Sequence, residues 1–188
     1  MIDRMPPMDP GAMSAAQAKA AADLAAGPRK GVFGPFVPLI RSPELMDRLQ
    51  RVGEYLRFES ALPPKLSELA ILVAARHLTN QFEWRVHYPL ALKAGVARET
   101  LDAIAQGRTP SAMPEDEALI HDFAIELLGR HFVPDAAYAR AVARLGEQGV
   151  IDLVALLGYF ITVCLVMNVA GTPPPVTDVP LLEPLTRP

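Results

Sequence analysis

Glu83 and His87 stand four residues apart in QFEWRVHYPLALKAG (81–95), so on a helix they stack on one face. A carboxylate one turn before an imidazole can orient the ring and hold its charge, as a proton-transfer pair requires. It can also be a cap: Asn80 followed three residues later by Glu83 has the pattern of a capping box. His87 by itself would read as a packed histidine, and the preceding acid offers it a partner. A third acid, Glu68 in SELAILVAARH, has Leu72 and Ala75 on its next turn. Its carboxylate is therefore expected either against packed surroundings, where burial disfavours the charge, or at a half-exposed first turn. Trp84 and Tyr159 read as core aromatics or as substrate contacts. His77, His121 and His131 are isolated and expected to face solvent, and Cys164 reads as a small core residue.

Several chemistries lack their residues. Glu68, Glu83 and His87 do not have the HExxH spacing of a zinc site, and no metal is expected. One cysteine permits neither a disulfide nor a Cys-x-x-Cys centre. There is no glycine-rich phosphate loop and no Gly-x-Ser-x-Gly elbow.

Helices must position these side chains. Ser42-Pro43 opens one through about Phe58, and Lys65–Thr79 forms a largely apolar second after the Pro63-Pro64 break. Asn80 caps the next, which ends at Gly95. Further helices are expected at about 97–106, 114–130, 134–149 and 150–170. No window alternates with period two, so the fold class is all-α. The divisions are an N-terminal arm with a short helix (1–27), a helical domain (28–170) and a proline-rich extended tail (171–188).

The chain has 188 residues, half of them hydrophobic, which suits one domain with a sizeable core. A net charge of −3 with scattered Lys and Arg argues against a nucleic-acid partner. The apolar run 153–170 has the length of a membrane span. Asp152 at its border, Asn168 within it and the absence of flanking basic residues favour a core helix, so no membrane partner is expected. With no secretory leader visible and a single thiol, the expected compartment is the cytoplasm.

The run SELAILVAARHLTNQFEWRVHYPLALKAGV (67–96) resembles the core of the carboxymuconolactone decarboxylase family, which includes the alkylhydroperoxidase-D-like proteins. Glu68, His87 and Gly95 occupy the family's glutamate, histidine and turn-glycine places. GVFGPFVPLIRSPELMDRLQRVGEYLRF (31–58) and GYFITVCLVMN (158–168) resemble the flanking parts. The peroxidase branch carries Cys-x-x-Cys where this chain has Asn80 and Glu83. The resemblance therefore points to the branch without cysteines. It implies an alkylhydroperoxidase-D-like helical bundle assembling as a homotrimer or homohexamer. The implied activity is a cofactor-independent carboxy-lyase acting on a small carboxylated lactone or a related aromatic-catabolism intermediate. In that chemistry His87 is the general acid, Glu83 orients it, Glu68 is a second acid or relay, and Arg76 or Arg85 pairs with a substrate carboxylate. The alternatives on the same scaffold are a hydroperoxide reductase, disfavoured by the missing thiols, and a non-catalytic oligomer that binds a ligand.

Overall fold

Residues 2–185 are described in the computed structural model. Following a 3₁₀ turn at Pro10–Ala12, the helices are α1 (Ala15–Ala26), α2 (Phe36–Leu39), α3 (Pro43–Phe58), α4 (Pro64–His77), α5 (Gln81–Lys93), α6 (Arg98–Ala105), α7 (Glu115–Arg130) and α8 (Asp135–Ala170). No strand occurs among the described residues, whose regular structure is all helical.

Local chemistry sets most of the boundaries. Proline occupies the first turn of α3 and α4, where its missing N–H costs nothing. Ser14 and Gln17 close a full capping box on α1. The sequence predicts two helices meeting at 149–150. The chain instead breaks at Gly146, whose φ of 70° and ψ of 169° interrupt α8. That left-handed φ suits glycine, which has no Cβ to clash.

α4 is the central helix and packs against α5, α6, α7 and α8. Its residues from Leu69 to Arg76 are all buried, with Ala70, Ala74 and Ala75 letting neighbouring backbones come close. Leu69, Leu72, Leu153 and Leu156 are fully inside, each stabilising the fold by about 1.5–3 kcal/mol relative to exposure. A second cluster joins Ala20 and Leu24 of α1 to Phe36, Leu39 and Ile40 of the α2 region and to Met46 of α3. The N-terminal helix therefore packs, and α2 is a short element that the sequence reading did not separate from the 28–42 stretch.

The chain ends are extended but tied down. The Arg4 amide donates to Ala170 O at 2.7 Å. Gln81 and the Leu182 backbone exchange two bonds of 2.8 Å, and Leu182 is buried. Met1 and residues 186–188, which the predicted arm and tail include, lie outside the described residues.

By length and composition α8 could cross a membrane, and 56% of its most apolar window is already buried in this chain. Leu153, Leu156, Phe160, Val163 and Met167 face the core. Ile151, Ala155, Gly158, Thr162, Leu165 and Val169 form an exposed stripe at alternating steps of four and three. The chain itself thus covers only one side of this helix. Asp152, at the apolar border, is buried and accepts bonds from the Tyr55 hydroxyl and the Ala61 amide, each at 3.1 Å.

Asn80 joins α5 to α8. Its side-chain oxygen accepts the Glu83 amide at 2.9 Å, and its Nδ2 donates to Cys164 O at 3.1 Å and Asn168 Oδ1 at 2.8 Å. Asn80→Ala removes a helix cap and leaves these buried groups unpaired. It is expected to lower stability by about 2–4 kcal/mol, read from urea denaturation with an unchanged m-value.

Candidate functional site

The packing of α4 on α5 brings three ionisable side chains together. Glu68 comes from α4, while Glu83 and His87 come from one face of α5. His87 Nδ1 lies 2.5 Å from Glu68 Oε2, and its Nε2 lies 3.1 Å from Glu83 Oε2. The imidazole is only 2% exposed and meets the Phe160 ring edge-on at 5.2 Å. A carboxylate accepts, so each ring nitrogen is best served by carrying a proton, and the two together favour the imidazolium. Burial alone would lower the His87 pKa. The bonds to Glu68 and Glu83 outweigh it, and the net shift is upward from 6.5.

Glu83 performs only half of the predicted capping box. Its amide is held by Asn80, but the Asn80 amide bonds to Ala75 O at 2.8 Å, and the Glu83 carboxylate turns to His87 instead.

Glu83 and His87 form one wall of a pocket of about 40 Å³, room for roughly one water. Phe33, Phe36, Phe82 and Phe160 are among its apolar walls; Arg29, Arg57 and Tyr159 are its other polar members. Glu68 stands behind the imidazole, outside the lining. Tyr159 comes from α8; burial raises its pKa, and Arg29 beside it pulls the other way. Arg29 lies on the connection between α1 and α2, and its pKa is lowered chiefly by burial, with Tyr159 acting in the opposite direction.

Three expected contacts lie elsewhere. Arg76 donates to Ala105 O, Glu183 O and Thr79 Oγ1, fastening α4 to the C-terminal segment. Arg85 donates to Pro175 O, because two residues from Glu83 is the other side of α5. Trp84 is 2% exposed and packs at 5.6 Å on Tyr88 in the core. Tyr159 is the one expected binding residue that reaches the pocket. His77 and His131 are exposed as anticipated, whereas His121 is buried with Nδ1 3.1 Å from Asp122 Oδ1. Cys164 is fully buried, and burial pushes its thiol well above the usual range, away from thiolate chemistry.

The sequence reading missed Arg29 and Arg57. For Arg29 the signal was faint: GPRKGVFGPF (27–36) concentrates aromatics and two cations among glycines and prolines; Arg57 carried none, reading as an ordinary helix residue.

The fold and site define an all-helical protein with a buried acid–imidazole–acid cluster at the wall of a small pocket. Residues 43–121 match the model of the carboxymuconolactone decarboxylase family. The match runs from the start of α3 into α7 and includes Glu68, Glu83 and His87, but neither Arg29 nor Tyr159. No curated protein sequence matches the chain.

The raised His87 pKa has a consequence for stability. A basic group favoured in its charged form by the fold contributes fully below its unfolded value, near 6.5, and that contribution is lost as pH rises through the higher folded value. Glu83→Gln removes one accepting carboxylate. The His87 titration midpoint, followed by NMR, is expected to move down, and the alkaline loss of stability to begin at lower pH.

Proposed function

We propose that the protein is a cofactor-independent carboxy-lyase acting on a small carboxylated lactone or a related acid whose carboxyl carbon is conjugated to a carbonyl. The observation that carries this reading is the buried imidazole, bonded to a carboxylate at each nitrogen, with His87 and Glu83 both lining the pocket.

In the proposed reaction the bond between the substrate and its carboxylate carbon breaks, and carbon dioxide leaves. The electron pair spreads through the conjugated system onto the carbonyl oxygen as a dienolate. The proton that His87 Nε2 holds against Glu83 is then passed to the far carbon of that system as the Nε2–Glu83 bond opens, and the carbonyl re-forms. The imidazole regains its proton from solvent, so the balance is one carboxylate and one proton in, one carbon–hydrogen bond and one carbon dioxide out. Glu83 orients the ring and favours its charged form. Glu68 anchors the opposite nitrogen and can relay the returning proton. A positioned general acid is worth about 10²–10⁴-fold.

The same reading makes the protein a cytoplasmic homo-oligomer, a trimer or a multiple of one. The exposed α8 stripe supports this, because its alternating spacing is that of a helix seam. Sedimentation at micromolar concentration is expected to give such an assembly, and Leu165→Glu to shift it towards monomer. A wild-type monomer at that concentration would remove the proposal.

Incubation with 4-carboxymuconolactone is expected to release carbon dioxide, and His87→Gln to slow it by about 10²-fold or more with the melting temperature retained. A folded oligomer that releases none would overturn the lyase assignment.

A further inference from the structure

Resting on the lyase reading, we propose that Arg29 and Arg57 form the subsite that anchors a carboxylate of the ligand, and that Gly53 and Tyr159 build it.

Both arginines line the same pocket as His87 and Glu83, and both are half-buried. Neither makes an ion pair within 4 Å among the described residues, and Arg29 Nε is buried with no hydrogen-bond partner. Two cations close enough that Arg57 disfavours the charge on Arg29 are costly to hold together without an anion. Glu54 offsets part of that charge from a distance, and Glu83 is already taken by His87. Guanidinium groups bind carboxylates in a forked geometry, and partial burial strengthens the pair.

Gly53 explains how the two sides of the subsite meet. It lies in the interior of α3, where glycine is a poorer helix former than alanine. Its backbone does not require positive φ. A Cβ there would fall on the Tyr159 hydroxyl and 2.6 Å from Arg29 Nη2. The missing side chain leaves a notch that admits the tyrosine hydroxyl and the guanidinium side by side. Tyr159 thereby positions Arg29 over the pocket, and Arg57, one turn beyond Gly53 on the same helix, supplies the second cation.

The apolar walls suit an organic carboxylate, with its charged end between the arginines and its carbon skeleton against Phe33, Phe36 and Phe160. The pocket holds little more than a water, so binding a ligand of this size requires it to widen.

Calorimetric titration of the full-length protein with adipate, its neutral analogue adipamide and inorganic phosphate tests the subsite. Adipate is expected to bind, adipamide and phosphate at least about tenfold more weakly, and Arg29→Met and Arg57→Met each to weaken adipate at least about tenfold. Gly53→Ala is expected to weaken adipate in the wild-type background and to add little once Tyr159 is replaced by alanine, because both changes disturb one contact. Equal binding of adipamide, or arginine variants that bind adipate normally, would overturn the proposal. Preferred phosphate binding would also overturn it by assigning another ligand class. Carbon dioxide release from the lactone with unaffected arginine variants would leave the lyase reading standing without this subsite. Arginine-dependent adipate binding without carbon dioxide release would do the reverse.

Discussion

A charge placed inside this helical bundle has to be compensated within the bundle. Moving an ion out of water costs several kcal/mol even after relaxation, and attraction to one imperfectly placed partner rarely repays it. His87 is nearly inaccessible and bonded to a carboxylate at each ring nitrogen. The packing of α4 on α5 therefore involves this cluster as well as hydrophobic contact, since separating the helices would take Glu68 away from His87 Nδ1.

The surrounding structure makes the alignment repeatable. Asn80 fixes the start of α5 and ties it to α8, so the face carrying Glu83 and His87 cannot rotate away from Glu68. Phe160 braces the imidazole from the α8 side. In a thiol-based branch of the same scaffold two cysteines would occupy the places of Asn80 and Glu83. Here one residue is a structural clamp and the other an acid on the histidine.

Arginine placement shows how closely related local patterns diverge in space. Arg76 and Arg85 sit near the acidic and imidazole residues in the chain, yet both fasten the C-terminal segment to the bundle. Arg29 and Arg57 are distant in sequence and share the pocket. Tyr159 belongs with them only because α8 returns across α3 at Gly53.

The helical class, most helix starts and the stacking of Glu83 on His87 were legible in the sequence, because each depends on residues within one or two turns. Proline at first turns, Asn80 at a cap and the four-residue step act through local backbone geometry. The family likeness likewise lay in a continuous run. The break at Gly146 was not legible, since a glycine inside a long helical pattern can be helical or left-handed and packing chooses. Nor was the burial of His121, which depends on neighbours from other helices. Only the tertiary structure decided that Glu68 meets Nδ1 of His87, that Glu83 abandons the capping box, and that Arg29, Arg57 and Tyr159 converge. Those facts depend on which faces of separate helices are pressed together, and the periodicity of one helix carries no information about the rotation of its neighbour.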